Sequence, residues 1–486
     1  MVSLGKPSTR RLIEELKSVV GDEYVIHRDE DLLVFEYDGS VDKALPTAVV
    51  LPADTDEVVS VTELAATYNI PITARGAGTG LSGGAIANHG GIVMALTRMT
   101  CIIQIDAENM TAIVEPGVVN IDLSTATAPY GLYYPPDPSS QKVCTLGGNV
   151  AENSGGPHCL AYGVTTNYVL GLEVVLANGS VQWFGETTRE VGGYDLRGIM
   201  VGSEGTLGIV TKIAVRLVKI PEVVRTLLAV FNNVEDASLA VSDIIAAGIV
   251  PAALEMMDKL CIRAAEASVP AGYPQDAGAI LLVEVDGLSE VTDEQVADII
   301  HVCNKNSPIE IRTASDNIER EKLWAGRKGV IGALGRLAPN YYLVDGTVPR
   351  TRIMDTLKGV EKISKDYGLP IGNLLHAGDG NLHPLILFDE RKPGDTQKAL
   401  EAGGKILELC IQAGGVLSGE HGIGMEKQEY MPLMFTDDDM ASMAKLKLAF
   451  ETNDILNPGK IFPTGSSHVA VPQTGAISRT GPDAFI

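Results

Sequence analysis

The sequence predicts a protein of mixed α-helix and β-sheet, of the α/β or α+β class, on three observations. Helical periodicity alternates with short β-like runs, glycine occurs 52 times in 486 residues, and the longest purely apolar run covers only residues 244–254. That run is too short to span a bilayer, and it contains Pro251. We therefore expect several domains with tight backbone turns and no transmembrane segment.

Helices and strands alternate in the first 100 residues. An amphipathic helix is predicted behind Ser8 or Thr9, and its apolar face consists of Leu12, Ile13, Leu16, Val19 and Val20. A second helix is predicted around residues 58–65. It is followed by a β-like run at 70–75, a glycine-rich stretch and another β-like run at 92–96.

From about residue 221 the pattern changes to longer helical stretches. Helices are predicted at 237–247, 291–304 and 352–367, with a strand at 279–285. We expect a first domain over 1–220, a second over 221–415, a C-terminal part over 416–463 and a tail over 464–486. The tail is rich in Gly, Ser, Thr and Pro, which predicts an extension that is disordered or docked on a partner.

The charge of the chain excludes some classes of partner. The formal net charge is −24, with 38 Lys and Arg against 62 Asp and Glu. Binding to nucleic acid or anionic lipid needs clustered cations, so both are disfavoured. Charged residues interrupt the N-terminal apolar positions, which predicts a cytoplasmic protein without a secretory signal. The six cysteines form no C-x-x-C pair, so we expect no iron–sulfur cluster in this chain.

Three glycine-rich segments lie in the first predicted domain, at residues 75–84, 135–156 and 202–210. Their unhindered backbone N–H groups suit the binding of a pyrophosphate. A P-loop lysine is absent, and a strand rather than a helix follows the first segment, unlike a Rossmann fingerprint. A flexible surface loop is the alternative for any one segment. Three segments together favour a dinucleotide laid across several loops.

These segments resemble the FAD-contacting loops of the FAD-linked oxidase family, of the vanillyl-alcohol oxidase type. Residues 341–350, 376–383 and 418–424 are similar to its 2-hydroxy-acid branch, which includes bacterial glycolate oxidase flavin subunits and D-lactate dehydrogenases. The resemblance implies a two-part FAD-binding domain, formed by the first part and the C-terminal end, with an inserted α+β cap domain.

The resemblance also implies a set of FAD-contacting residues. They are Arg75, Gly76, Ala77, Gly78, Thr79, Gly80, Ser82, Gly83, Pro136, Asp137, Thr145, Gly148, Asn149, Ser154, Gly155, Glu204, Gly205, Gly208, Ile209 and Asn457. Some members of the family tether FAD through a histidine in the first loop. Residues 75–85 contain no histidine, so we expect non-covalent FAD.

Two β-like runs, each carrying a histidine, are joined through Asp379-Gly380, a strong hairpin signal. If these two residues form the turn, His376 pairs directly with His383, and their Cβ atoms lie about 4.5–5.5 Å apart. Two imidazoles at that separation can hold a divalent cation such as Zn²⁺ or Fe²⁺. Glu420 supplies a carboxylate as third ligand. The alternative is a histidine pair in a polar core without metal.

The resemblance implies that His421 is the general base and that Arg327 binds the substrate carboxylate. From the residues alone, the alternative for His421 is a turn residue that caps a helix, and the alternative for Arg327 is a solvated helix charge. The side chains of Glu420 and His421 diverge in an extended backbone, but the neighbouring glycines permit a bend. Asp379 and Asn381 are expected to shape the turn or to support the histidines.

Together these features predict an FAD-dependent 2-hydroxy-acid dehydrogenase that oxidises D-lactate to pyruvate by hydride transfer from Cα to flavin N5. Glycolate lacks one methyl group, a difference of only about 1–3 kcal/mol in an apolar pocket, so a glycolate oxidase flavin subunit is the alternative. The resemblance implies an electron-transferring flavoprotein or an iron–sulfur subunit as electron acceptor, and the tail is a candidate docking element. A metal-dependent hydrolase and a non-catalytic flavoprotein are alternatives of other classes.

Overall fold

The computed structural model describes residues 7–187 and 192–464, and it confirms the mixed helix and sheet class. Helices are found where the periodicity predicts them, and the predicted strand at 279–285 is also present. Apart from Thr464, the predicted tail lies outside the described residues. Within the described ranges, no helix has the length and apolar character that crossing a membrane requires.

The chain begins with helices packed on a four-stranded sheet of order β1-β2-β4-β3, in which β4 is parallel to both of its neighbours. The elements are α1 (Thr9–Val20), β1 (Val25–Ile26), α2 (Asp29–Leu32), β2 (Ala48–Val50), α3 (Thr55–Tyr68), β3 (Ile72–Arg75) and β4 (Ile92–Ala95). Ser8 caps α1 as predicted, and four of the five predicted apolar residues are buried. The first glycine-rich segment directly follows β3.

A second, antiparallel sheet has the order β5-β6-β10-β8-β9, and β7 pairs with β11 beside it. Its strands are β5 (Ile102–Asp106), β6 (Thr111–Val114), β7 (Leu132–Tyr133), β8 (Val169–Val175), β9 (Val181–Gly185), β10 (Ile209–Arg216) and β11 (Val218–Lys219). The helices between them are α4 (Asn120–Thr127), α5 (Leu146–Glu152), α6 (Cys159–Tyr162) and α7 (Leu196–Met200).

An antiparallel sheet of order β15-β12-β14-β13-β18-β19-β16, with β17 paired to β19, forms the cap. Its strands are β12 (Val223–Phe231), β13 (Ala253–Asp258), β14 (Ala279–Gly287), β15 (Glu310–Thr313), β16 (Asn340–Leu343), β17 (Gly346–Thr347), β18 (Ile371–His376) and β19 (Asn381–Phe388). The helices that follow β11 are α8 (Val234–Ala246), α9 (Lys259–Ser268), α10 (Ser289–Asn304), α11 (Asn317–Leu334), α12 (Ile353–Tyr367), α13 (Asp395–Gln412) and α14 (Asp437–Phe450). Successive residues of β12 enter separate cores on the two faces of the sheet.

The C-terminal segment returns to the first sheet. The backbone N–H of Asn457 donates to the carbonyl of Ile72 at 2.7 Å, and Leu456 bridges to Ile72 in parallel. Lys460 Nζ donates to the carbonyl of Ile86 at 2.7 Å. These contacts support the proposed division, in which a part after the cap rejoins the first domain.

A buried ionic network joins the first part to the cap. His158 Nδ1 lies 2.9 Å from Asp137 Oδ2, and Nε2 lies 3.2 Å from Glu284 Oε1 on β14. Its ring stacks on Trp324 of α11, with centroids 5.4 Å apart. Burial disfavours the imidazolium, but the two carboxylates outweigh burial and raise the pKa of His158 to about 10. A protonated His158 therefore bridges the two parts at neutral pH.

This bridge predicts a pH-dependent contribution to stability. Because the folded-state pKa is raised, the stabilisation is complete below the ordinary value of 6.5 and is lost as the pH rises towards about 10. In urea titrations, His158→Gln should lower the free energy of unfolding by about 1–3 kcal/mol in mildly acidic buffer. This difference between wild type and variant should disappear in alkaline buffer. His301→Gln, which changes an exposed histidine, is the control. A stability difference between wild type and His158→Gln that does not change with pH would contradict a protonated His158 bridge.

Candidate active site

A cavity of about 370 Å³ lies between the glycine-rich loops and the cap sheet. Fourteen of the predicted cofactor residues line it: Arg75, Gly76, Ala77, Gly78, Thr79, Gly80, Thr145, Gly148, Asn149, Ser154, Glu204, Gly205, Gly208 and Ile209. Outside the lining lie Ser82, Gly83, Pro136, Asp137, Gly155 and Asn457. The predicted metal and catalytic residues also line the cavity, namely His376, His383, Glu420, His421 and Arg327. One cavity therefore brings together both predicted sites.

The glycine loops form a cradle in which side chains have no room. A Cβ at Gly76 would lie 2.3 Å from Thr145 Oγ1, and one at Gly78, where φ is +71°, would lie 2.2 Å from an Arg75 nitrogen. A close backbone cradle of this kind fits FAD, whose pyrophosphate would accept from backbone N–H groups. Ser82 Oγ is buried without a hydrogen-bond partner among the described residues, but it does not line the cavity.

Two of the predicted cofactor residues hold chain segments together. Glu204 has φ +53°, and its carboxylate accepts from the N–H groups of Ile423 and Gly424, both at 2.7 Å. Asn457 Nδ2 donates to the carbonyls of Gly84 at 2.8 Å and Glu204 at 2.7 Å. These side chains connect the first part to the C-terminal part around the cavity.

The three predicted metal ligands converge. Glu420 Oε1 lies 2.9 Å from His376 Nε2 and 3.1 Å from His383 Nε2, and the two imidazole rings are 4.9 Å apart at 87°. Burial disfavours a charged imidazole, yet Glu255 and Glu420 raise the pKa of His376 to about 10. The pocket thus stabilises positive charge where these atoms meet. Two imidazole nitrogens and a carboxylate oxygen are a donor set that fits Zn²⁺ or Fe²⁺.

The predicted register of the histidine hairpin is wrong. His376 pairs with Asn381, and His383 pairs with Leu374. The connection has four residues, 377–380, because two overlapping turns form, with N–H to carbonyl distances of 3.1 and 3.3 Å. A two-residue turn was expected instead. The histidines still share one face of the sheet, but they lie diagonally, at a separation that long side chains span.

Sequence reasoning missed Glu255, which lies opposite His376 on the neighbouring strand β13. Its carboxylate lies 2.8 Å from His376 Nδ1 and forms an ion pair with Arg327. Burial raises the pKa of the Glu255 carboxyl, but Arg327 and His376 outweigh burial and leave the pKa below its usual value. The available signal was one acidic residue within the otherwise apolar run 249–257.

Arg327 is 1% exposed, which excludes the alternative of a solvated helix charge. It lies on α11 and lines the cavity beside the histidines. Its Nε is buried without a hydrogen-bond partner among the described residues. An unpaired guanidinium N–H facing a cavity is a donor for an anionic ligand.

His421 stacks on His383, with ring centroids 5.1 Å apart at 12°, and its Nδ1 lies 3.9 Å from Asp345. Burial lowers the pKa of His421 to about 4, so the imidazole is neutral at pH 7 and can accept a proton. Asp345, which the sequence reasoning also missed, is fully buried. Burial raises the pKa of the Asp345 carboxyl, but His421 and Lys427 hold it well below its usual range.

Asp345, His383 and His421 form a second group with metal-ligand spacing among the described residues. Here Lys427 Nζ already lies 3.2 Å from Asp345 Oδ2 and supplies the positive charge. We therefore assign the candidate metal site to His376, His383 and Glu420, where no lysine contacts the ligand atoms within the part of the chain that the structure describes.

Sequence comparisons place the chain among flavin enzymes. Residues 220–461 match the family model "FAD linked oxidases, C-terminal domain", and residues 46–185 match "FAD binding domain". Glycolate oxidase subunit GlcD of Escherichia coli (strain K12) is 46% identical over 441 residues, which cover 90% of this chain and 88% of that protein. D-lactate dehydrogenase of Anaerostipes hadrus is 34% identical over 474 residues, which cover 93% and 97%. These matches give no support to the hydrolase alternative.

Solved structures confirm the fold that the resemblance implies. p-Cresol methylhydroxylase has a TM-score of 0.77 at 19% identity, covering 93% of this chain and 96% of that one. 4-Ethylphenol oxidase from Gulosibacter chungangensis has a TM-score of 0.77 at 19% identity, covering 96% and 99%. At such identities the likeness shows the fold alone, which is of the vanillyl-alcohol oxidase type. The chain therefore belongs to the FAD-linked oxidase family, as an FAD-dependent oxidoreductase of the branch that contains the glycolate oxidase subunits and D-lactate dehydrogenases.

Proposed function

We propose that this chain oxidises a short 2-hydroxy monocarboxylate, with D-lactate as the first candidate and pyruvate as its product. The observation that carries the proposal is the convergence of His376, His383, Glu420 and His421 in the cavity that the FAD loops line. An α-hydroxy acid matches this arrangement, because its carboxylate and hydroxyl oxygens can both be held while its Cα faces the flavin.

The balance of buried charge supports a divalent cation at the proposed metal site. Among the described residues, the three carboxylates of Glu255, Asp345 and Glu420 are balanced by Arg327, Lys427 and the imidazolium of His376. A divalent cation that replaced the His376 proton would leave a net positive charge, which lets an anionic substrate enter a buried site. His376, His383 and Glu420 would hold the cation, and the histidine nitrogens favour Zn²⁺ or Fe²⁺.

The side chains of this chain have distinct roles in the proposed reaction. When bound, the cation would polarise the substrate hydroxyl and FAD would accept the hydride. His421 takes the hydroxyl proton at Nε2, because Nδ1 faces Asp345 at 3.9 Å. Arg327 donates to the substrate carboxylate through its unpaired Nε–H. Glu255 orients both Arg327 and His376.

The walls of the cavity favour a monocarboxylate with a small apolar substituent. The apolar part of the lining that the cap contributes is Ile331, Tyr341, Leu343 and Leu374. Such a surface accepts the methyl group of D-lactate but leaves a second carboxylate without a partner.

The other cations in the lining support this restriction. Lys328 already donates to Asp137 at 3.2 Å, and Arg75 lies in the glycine loop next to the carbonyl of Ala85. A dicarboxylate such as D-2-hydroxyglutarate therefore meets no uncommitted Lys or Arg among the described residues of the lining.

Glycolate is the second candidate. The relative that is 46% identical carries the name glycolate oxidase subunit. Glycolate has the same carboxylate and hydroxyl as D-lactate and leaves only the apolar wall less filled. The discrimination against it is expected to be modest, about 1–3 kcal/mol.

Electrons must leave the reduced flavin, and the described part of the chain has no cysteine pair for a relay. We propose an electron-transferring flavoprotein or an iron–sulfur subunit as acceptor. The word "subunit" in the names of relatives favours a complex. A role of residues 464–486 in docking and a cytoplasmic location belong to the same proposal.

Anaerobic substrate addition tests the proposal. D-lactate, L-lactate, glycolate and D-2-hydroxyglutarate are added separately to the FAD-loaded protein while the visible flavin band is followed. We expect the fastest bleaching with D-lactate, slower bleaching with glycolate and little with the other two. Faster bleaching by glycolate would select the second candidate. A protein that none of these acids bleaches would overturn the proposal.

His421→Gln tests the proposed base. Loss of a general base lowers the rate of flavin reduction at saturating substrate by about 10²–10⁴-fold, while FAD content stays the same. The rate is measured by anaerobic stopped flow. His27→Gln changes an exposed histidine and should react at the wild-type rate. A His421→Gln protein that is reduced normally would favour the non-catalytic flavoprotein instead.

Glu420→Gln tests the proposed metal site. Elemental analysis of the FAD-loaded wild type should find about one Zn or Fe per chain, and the variant should lose most of it on dialysis because a charged ligand is gone. Glu361→Gln, at an exposed helix position, is the matched control and should retain the metal. Equal metal content in all three proteins, or none in the wild type, would argue against this site.

A further inference from the structure

The segment that carries Glu420 and His421 has an unusual pattern of backbone hydrogen bonds. We call residues 418–424 the catalytic loop. The N–H groups of its residues 419, 420 and 421 donate to the carboxylate of Asp345 at 3.1, 3.2 and 2.9 Å. The N–H of residue 422 donates to Ser418 Oγ at 2.9 Å, and those of 423 and 424 donate to Glu204, both at 2.7 Å. Six consecutive N–H groups therefore point at side-chain oxygens.

The two carboxylates come from different parts of the molecule. Asp345 lies in the cap, just after β16, and is fully buried. It also accepts from Ser418 Oγ at 2.7 Å and from Lys427 Nζ at 3.2 Å. Glu204 belongs to the third glycine-rich segment of the first part and is 5% exposed. The catalytic loop is thus held from both sides of the cavity.

This arrangement explains how neighbouring side chains serve one site. In an extended backbone the side chains of Glu420 and His421 point to opposite faces. Three successive N–H groups curled around one carboxylate form a concave nest that bends the chain. As a result Glu420 reaches both histidines of the hairpin, while His421 stacks on His383.

The glycines of the loop agree with the requirement for a bend. Gly422 has φ +85°, and a Cβ there would lie 2.2 Å from a Glu152 oxygen. A Cβ at Gly419 would lie 2.4 Å from the side chain of Asn381. The loop can close around Asp345 only if these two positions are glycine.

We infer that Asp345 is a positioning residue: its carboxylate shapes the catalytic loop so that Glu420 and His421 face one site, and Glu204 anchors the far end of the loop to the FAD-binding part. The inference rests on the proposed function, because it concerns the proposed metal ligand and base. Asp345 itself reaches the reaction through these groups and through His383, whose Nδ1 lies 3.8 Å from its carboxylate.

Residue-resolved hydrogen exchange and metal affinity test the inference on FAD-loaded protein. Asp345→Asn should speed amide exchange at residues 419–421, while exchange at residues 423 and 424 stays near the wild-type rate. Glu204→Gln should instead speed exchange at residues 423 and 424 and change residues 419–421 little. Competition between the protein and a chelator for Zn²⁺ should show about 10–100-fold weaker binding by Asp345→Asn. The rate of flavin reduction at saturating substrate should also be lower in Asp345→Asn than in the wild type. Wild-type exchange and Zn²⁺ affinity in Asp345→Asn would overturn the inference.

If Asp345→Asn gives no FAD-loaded protein, a milder variant tests whether Asp345 positions the catalytic loop. Ser418→Ala removes one donor to Asp345 and the acceptor for residue 422, and it should weaken Zn²⁺ binding by about 10-fold. Ser364→Ala is the matched control, since that hydroxyl also donates at 2.7 Å, at the end of a cap helix far from the cavity. If Ser418→Ala binds Zn²⁺ as tightly as Ser364→Ala does, the inference is overturned.

Failure of the proposed function would give a different result. A wild type that binds no Zn²⁺ and is bleached by no 2-hydroxy acid would remove the proposed metal and substrate. The exchange pattern of Asp345→Asn and Glu204→Gln would still show whether the two carboxylates hold the catalytic loop.

Discussion

Buried carboxylates that are compensated by backbone N–H groups and by cationic side chains hold the candidate active site together. Asp345 and Glu255 are almost completely inaccessible to water, and an uncompensated charge in such a place is strongly destabilising. Asp345 is compensated by three N–H groups and Lys427, and Glu255 by Arg327 and His376. The environment of Asp345 requires the cap and the segment after it to pack together, and that of Glu255 requires α11, β13 and β18 of the cap to do so. Packing of the chain therefore also assembles the site.

The same requirement links the cap to the FAD-binding part. Glu204 reaches from the third glycine-rich segment to the catalytic loop, and Asn457 ties that segment to the first one. On the other side of the cavity, His158 and Asp137 face Glu284 and Lys328 of the cap. Polar contacts at both edges hold the flavin cradle close to the histidines, as the proposed hydride transfer requires.

The hairpin illustrates how far sequence reasoning reaches in this protein. Asp379-Gly380 correctly indicated a turn between two strands, and both histidines lie on one face of the sheet. The register was wrong, because overlapping turns over residues 377–380 depend on the strands that flank the hairpin rather than on the turn residues alone. Glu255 and Asp345 were missed for a related reason. Each is a single acidic residue in an apolar stretch, and no local spacing relates it to the histidines.

The sequence by itself determined the class of the fold, because periodicity and glycine spacing act over a few neighbouring residues. The resemblance of its short motifs gave the family, and with it the expected flavin loops and the residues of the proposed chemistry. Only the tertiary structure decided which buried charges meet. His376 contacts Glu255, which is 121 residues away in the sequence, and the N–H of Ile423 donates to Glu204, which is 219 residues away. Such partners are selected by the packing of whole strands and loops, because a buried charge must be matched by whichever groups the fold brings to it.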